Sequence, residues 1–113
     1  MNDCIFCKIV DGVIPSDKVF ENDDMIIIKD LNPQAKIHLL LIPKMHYENI
    51  EALAKDNPEL LKRCFEALPA ITDGLGLKDG YRLITNKGDN GCQSVKHIHI
   101  HLLGGEKLAE KMG

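Results

Sequence analysis

A chain of 113 residues with 14 Lys and Arg against 17 Asp and Glu carries a formal charge of −3, and its 44% apolar content suffices for one hydrophobic core but not for two independently stable ones. Its longest unbroken apolar run, Leu39 to Pro43, falls far short of the about 20 residues of a membrane-spanning helix, and Met1-Asn2-Asp3-Cys4 offers no basic start followed by the roughly 7–15 apolar residues of a secretory leader. The expectation is one domain spanning residues 1–113, cytoplasmic, with no membrane partner.

The basic residues are scattered and include only two arginines, Arg63 and Arg82, which argues against a nucleic-acid polymer as partner and leaves a small anionic ligand open. Four cysteines without a leader point to a reducing compartment, where a close pair is more often a metal or redox device than a disulfide.

In chain order, Cys4 to Val10 reads as a short apolar helix that stops at the turn dipeptide Asp11-Gly12. Lys18 to Glu21 and Met25 to Lys29 read as a hairpin around Asn22-Asp23-Asp24. Asp30-Leu31-Asn32-Pro33 breaks the pattern, and Lys36 to Pro43 is a third strand whose run Leu39-Leu40-Leu41-Ile42 predicts burial on both faces. A helix is predicted to start at Asn57-Pro58-Glu59, with Asn57 as cap and Pro58 in the first helical position. Leu61, Cys64, Phe65, Leu68 and Ile71 give it an apolar stripe, Pro69 should kink or break it, and Gly74 or Gly76 should end it. Tyr81 to Asn86 and His97 to Leu103 complete five strands, the last closed by Gly104-Gly105. The fold class predicted is α+β, an antiparallel sheet with helices on one side.

Four of the five histidines, His38, His97, His99 and His101, fall on predicted strands. Three of them alternate with apolar residues in His97-Ile98-His99-Ile100-His101, so their imidazoles share one face while Ile98, Ile100 and Leu102 fill the other. At a rise of roughly 3.3 Å per residue the outer rings start about 13 Å apart, too far for one zinc ion with bonds of about 2.0–2.1 Å to take all three comfortably. The alternative is a nucleophile flanked by helpers, since neutral imidazole attacks phosphorus near pH 7. His99, with a ring on either side, is the natural nucleophile. The preceding Asn86-Lys87-Gly88-Asp89-Asn90-Gly91-Cys92-Gln93-Ser94 supports this, because its glycines permit turns that aim backbone N–H groups at an anion, and Gln93 and Ser94 add neutral donors. Cys4-Ile5-Phe6-Cys7 is ambiguous between zinc and redox chemistry. If it holds zinc, two further ligands must come from His46, His38 and the outer rings of the triad.

Taken together, Ile5-Phe6-Cys7-Lys8-Ile9, Asp30-Leu31-Asn32-Pro33-Gln34-Ala35, His38 with Ile42-Pro43-Lys44-x-His46, Gly91-x-Gln93-Ser94-Val95 and His97-x-His99-x-His101-Leu102-Leu103-Gly104-Gly105 resemble the histidine triad (HIT) superfamily, in its Hint-like nucleotide-binding branch. The resemblance covers nearly the whole chain. It implies a HIT fold with an antiparallel five-stranded sheet and two main helices, and a homodimer paired through a strand and the longer helix, which makes Pro58–Gly74 the expected dimer face. It also implies hydrolysis at the α-phosphorus of a purine nucleotide or nucleotide conjugate, the phosphoramidate type being AMP joined to an amine.

Carried over by residue, His99 resembles the nucleophile, with His101, His38 and Ser94 assisting at the phosphate. Asn86, Ser94 and the backbone of Cys92 and Gln93 would hold phosphate or leaving-group oxygens, with Val95 adjoining them. Asp30 would accept the ribose hydroxyls, and Leu31, Ile5, Phe6, Ile9 and Ile14 would enclose the base. Zinc-bearing members imply a structural zinc on Cys4, Cys7, His46 and His97. Cys92 stands where many relatives have glycine, and the tail from Lys107 lacks the aromatic end of some Hint proteins. A dinucleoside-polyphosphate hydrolase and a nucleotide-sensing interaction protein are the alternative readings.

Overall fold

β-Branched and leucine side chains fill the middle strands of the sheet, where a pleated surface covered on both faces suits them. In this computed structural model, which describes residues 3–112, β1 (Lys18–Glu21), β2 (Met25–Lys29), β3 (Ile37–Pro43), β4 (Tyr81–Ile84) and β5 (Ile100–Gly104) form one antiparallel sheet in the order β1-β2-β3-β5-β4. Met1, Asn2 and Gly113, which belong to the leader and tail readings, lie outside the described residues. The first hairpin closes on Asn22, whose Oδ1 accepts from the Asp24 and Met25 N–H groups at 2.8 and 2.9 Å, the local turn that makes Asn a strand connector.

Strand alternation sorts the side chains into two cores. Met25, Ile27, Leu39, Leu41, Ile100 and Leu102 face α2 (Ile50–Asp56), α3 (Pro58–Glu66) and α4 (Leu68–Gly74), which supply Leu53, Leu60, Cys64, Leu68 and Ile71. Ile26, Ile28, Leu40 and Ile42 face the other way and are capped by Phe6 and Ile9 of α1 (Ile5–Val10). Fully burying each such side chain stabilises by roughly 1.5–3 kcal/mol. The predicted two-sided burial of Leu39 to Ile42 is therefore observed. His38 and His101 share the α1 face with Leu40 and Ile42, while α1 covers only part of it. The histidines line the remainder.

Several boundaries differ from expectation. Two main helices become four. The unexpected α2 starts where Asn49 Oδ1 accepts from Ala52 N–H at 2.9 Å, and the predicted Pro58–Gly74 element is two helices joined at Ala67. The junction falls two residues before Pro69 because proline lacks the N–H and its ring crowds the carbonyl four residues back. Cys64, Leu68 and Ile71 are buried as the stripe predicts, Leu60 joins them, Leu61 packs at the margin of the core, and Phe65 is 40% exposed. β4 ends at Ile84 instead of Asn86, and β5 starts at Ile100 rather than His97. His97, in a bend, and His99 thus lie on an irregular lead-in, leaving only His38 and His101 of the four on strands. Ile98 N–H bonds to the Tyr47 carbonyl at 2.7 Å, a loop partner in place of a ladder. No helix among the described residues is long and apolar enough to cross a membrane.

Candidate active site and metal centre

α1 begins because Cys4 caps it, its Sγ accepting from Cys7 N–H at 3.4 Å, and this first turn places both thiols on one side. They meet His46, just past β3, and His97. Cys4 Sγ lies 3.4 Å from His97 Nδ1, Cys7 Sγ lies 3.3 Å from His46 Nδ1 and 3.5 Å from His97 Nδ1, and the two Nδ1 atoms are 3.2 Å apart. Tetrahedral bonds of about 2.0–2.3 Å put neighbouring ligand atoms about 3.3–3.8 Å apart, so these spacings fit a tetrahedral cation of the zinc type. The far nitrogen of His97 supports the same fit. Nε2 sits 2.8 Å from the Pro43 carbonyl, which can only accept, so Nε2 carries the proton and Nδ1 presents a bare lone pair to the thiols. Burial, foremost, holds His97 below the ordinary imidazole range, favouring this neutral ligand form. The structure therefore brings together the four residues named for a metal, out of the wider set of histidines the spacing left open.

Beyond this cluster on the same face, His38, Asp30 and His101 converge, again within 4.8 Å of one another. Here the backbone dictates the opposite tautomer. Gln34 N–H donates to His38 Nδ1 at 2.9 Å, so the His38 proton sits on Nε2 and is directed at His101 Nδ1, 2.9 Å away. That in turn leaves the His101 proton on its outer Nε2. The chain is a directed relay, and a cation on His38 Nε2 would have to displace that proton. Asp30 lies alongside, with Oδ1 held by Asn32 N–H at 2.8 Å and Oδ2 3.4 Å from His38 Nε2. Burial lowers the pKa of His101, with His99 and His38 acting in the same direction against the pull of Asp30.

His99 stands between the two clusters. Its Nδ1 donates to the His97 carbonyl at 2.8 Å, leaving Nε2 unprotonated. Phe6 packs on the ring in a T-shaped pair at 4.9 Å between centroids, and the His101 ring centroid is 5.3 Å away. Thr85 Oγ1 donates to the His99 carbonyl at 2.9 Å, fixing the backbone where the ladder has not yet begun.

The loop before the histidines differs from the expected anion cradle. Cys92 N–H bonds to the Asp89 carbonyl and Gln93 N–H to the Gly88 carbonyl, both at 3.0 Å. Both N–H groups and the oxygen of the buried Gln93 side chain bond inside the protein. None of these three predicted donors is therefore free for a phosphate, because the loop uses them to hold its own shape. Ser94 and Asn86 make no side-chain hydrogen bond among the described residues, and Ser94 is exposed. Cys92 has φ +58, the left-handed region that glycine tolerates best. Among the residues assigned to the base, Phe6 and Ile9 are buried and Ile14 packs against their cluster, as does Val95, which was placed beside the phosphate donors. Ile5 is 46% exposed and Leu31 100% exposed, so Leu31 does not join that apolar group. Cys64 belongs to neither site: burial pushes its thiol up to about 11.

Gln34 and Pro43 orient the His38 and His97 rings and Thr85 holds the His99 backbone; the first two stand inside motif segments, but no such role was read for any of the three. Two of them act through backbone atoms, which side-chain pattern cannot reveal, and Thr85 needed only the signal of a hydroxyl one residue past a strand beside the histidines.

Residues 3–113 match the family described as scavenger mRNA decapping enzyme C-terminal binding. The chain is 42% identical over 104 residues to Protein HitA of Neisseria gonorrhoeae, covering 92% of this chain and 97% of that protein. It is 42% identical over 107 residues to a 14 kDa zinc-binding protein of Zea mays, covering 92% of this chain and 83% of that protein. A HIT family hydrolase from Clostridium thermocellum superposes with a TM-score of 0.90 at 40% identity, covering 99% of this chain and 98% of that one. On these matches, with a five-stranded antiparallel sheet that carries His101 on β5, the chain belongs to the histidine triad superfamily.

Proposed function

We propose that this protein is one HIT domain that hydrolyses purine nucleotide conjugates at the α-phosphorus, of the nucleoside phosphoramidase type, through a nucleotidyl group on His99 Nε2. The observation that carries the reading is the Nδ1 hydrogen bond of His99 to the His97 carbonyl at 2.8 Å. It presents a bare nitrogen at the centre of the site in a ring that packing has already oriented. The hydrolase name of the Clostridium thermocellum neighbour supports the reaction class.

In the proposed reaction, His99 Nε2 forms a bond to phosphorus as the P–N bond to the amine breaks. The amine leaves badly without a proton, and His101, in its imidazolium form, is placed to give one from Nε2 and return to the neutral ring. Water then attacks phosphorus, the P–Nε2 bond breaks, and the nucleoside monophosphate departs with its proton balance restored through His101. Asp30, with Oδ1 held by backbone and Oδ2 beside the His38 ring, is the carboxylate that would accept the ribose hydroxyls, and Asn86 and Ser94 supply uncommitted polar groups for phosphate oxygens. Cys4, Cys7, His46 and His97 are proposed to hold zinc, in keeping with the zinc-binding maize relative; bound there, it supplies a fixed, closed structural centre. With His97 so occupied, acid–base work falls to His101.

A homodimer in the cytoplasm completes the reading. β4 edges the sheet, and Phe65 on α3 is exposed, so the strand and the helix assigned to pairing are both uncovered. Light scattering should give about twice the 12.6 kDa chain mass; a monomer at micromolar concentration would remove the dimer.

The deciding experiment offers the protein an adenosine phosphoramidate beside a diadenosine polyphosphate. The expected result is amine release from the phosphoramidate, with an acid-labile adenylyl group trapped on His99. Preferential cleavage of the dinucleotide would move the protein to the polyphosphate hydrolases, and AMP binding without turnover of either would make it a sensor.

A further inference from the structure

Gln93 was assigned to the nucleotide, yet its side chain is 8% exposed and faces inward. Its Oε1 accepts from Gly88 N–H at 3.0 Å, and its Nε2 donates to the Glu48 carbonyl and, at 2.9 Å, to the Val95 carbonyl. This orientation of the amide is the one that matches a donor to each acceptor. Its oxygen and both N–H groups are engaged, and the three partners belong to two stretches of irregular chain, Glu48 between β3 and α2, and Gly88 and Val95 between β4 and β5. Gly88 opens the loop between Asn86 and Ser94. Glu48 lies two residues past His46, and Val95 two residues before His97. The same two arms are joined once more by the Ile98 N–H bond to the Tyr47 carbonyl.

One buried amide thus spans the phosphate loop and both arms that carry the histidine ligands. We infer that Gln93 is a positioning residue through which occupancy of the Cys4–Cys7–His46–His97 centre and nucleotide binding strengthen each other. The inference rests on the proposed nucleotide reading. A cation that draws His46 and His97 together holds the Glu48 and Val95 carbonyls at the separation one amide nitrogen bridges. The amide oxygen then holds Gly88, and with it the loop that presents Asn86 and Ser94. Without the cation the two arms lose their common ligand, and the bridge must give way on one side. Coupling of this kind is reciprocal: whatever factor the metal adds to nucleotide affinity, the nucleotide adds to metal affinity.

The test measures zinc affinity by competition with a chromogenic chelator, with and without saturating AMP, in the full-length protein. AMP should tighten zinc binding at least about fivefold, the lower end of typical coupling. AMP affinity, measured by equilibrium dialysis before and after metal removal, should fall by the same factor. In Gln93→Glu, which keeps the acceptor for Gly88 N–H but sets an oxygen against the two carbonyls, the effect of AMP on zinc should shrink to within about twofold. Gln93→Met, which removes the polar bridge without adding charge, serves where the glutamate variant fails to fold by circular dichroism. A purely structural glutamine would lower stability in these variants and leave the coupling factor intact, which would overturn the assignment of the role to Gln93. Wild-type protein that binds both AMP and zinc with no mutual effect would overturn the coupling itself. No AMP binding at all would overturn the nucleotide reading, and the coupling with it.

Discussion

The Cys4–Cys7–His46–His97 cluster and the Asp30–His38–His101 cluster are alike in size, each with its ligand-capable atoms within 4.8 Å of one another. They differ in which ring nitrogen the backbone takes. A carbonyl at His97 Nε2 accepts a proton there and bares Nδ1 toward two thiols; an N–H at His38 Nδ1 does the reverse and sends a proton toward His101. The side chain is an imidazole in both places. A single backbone contact on its far side makes one ring a metal ligand and the other a link in a proton relay, and clustering alone would have called both metal sites.

The largest expected effect separates the reacting ring from both clusters. His99→Asn should lower kcat at least about 10⁴-fold, as loss of a nucleophile does, while AMP binding stays within a few-fold. Turnover within tenfold of wild type would remove the covalent step. Next comes the proposed metal. Cys7→Ser should bring zinc content below half an equivalent, and stripping zinc should lower the unfolding free energy by about 4 kcal/mol at metal levels a thousandfold above Kd. Unchanged thermal unfolding after chelation would reduce that cluster to packing. His38→Asn then tests the relay: the amide oxygen can still accept from Gln34 N–H but cannot reach His101. A fall of roughly 10- to 100-fold in kcat, with KM little changed, is expected of a positioning group. A zinc content unchanged by His38→Asn but abolished by Cys7→Ser would sharpen the distinction.

The triad alternation, the C-x-x-C pair and the Asp30 turn were legible because side chains at fixed spacing carry that chemistry, the hairpin because its apolar runs flank Asn22-Asp23-Asp24, and the central strand because Leu39 to Ile42 is unbroken by polar residues. The four metal ligands were harder. Spacing alone left His38 and His101 as candidates, and the family resemblance chose His46 and His97. What escaped depended on partners remote in sequence. β5 was drawn too long because alternation continues through His97 and His99 after the ladder has stopped. α2 was passed over although Asn49 stands at a good capping position before Glu51, Ala52 and Leu53. Gln93 looked like an anion donor because its neighbours are glycines, and only Glu48, 45 residues away, reveals that it faces the interior.

Cys92 offers a control outside both clusters. With φ +58 it bears a strain of roughly 1–2 kcal/mol, offset in part by the greater unfolded-state freedom of a glycine in its place. Cys92→Gly should therefore stabilise by up to about 1 kcal/mol in denaturant unfolding, with zinc content and relay chemistry unaltered; destabilisation would mean that the thiol contributes packing not evident from its exposure.

The subtlest expected effect lies in the pH profile of stability. The folded state holds His101 below the ordinary imidazole pKa of about 6.5, burial being the main cause and the His99 and His38 rings adding to it. As pH falls past that value the unfolded chain takes up its proton before the folded one does. Stability must then decline with falling pH until the folded ring also protonates, while above about 6.5 this contribution is constant. His97, buried and depressed in the same direction, adds an acid limb of its own through competition between protons and metal. The difference between wild type and His101→Gln isolates the relay, since the substitution leaves the thiol cluster untouched. Urea unfolding of the two proteins across pH 7 to 5 should run parallel above about 6.5 and diverge below it, with the wild type falling more steeply. Profiles that stay parallel throughout would mean that the proton on His101 is as welcome inside the site as in water, and would leave the outer Nε2–H without the poised acidity the proposed reaction requires.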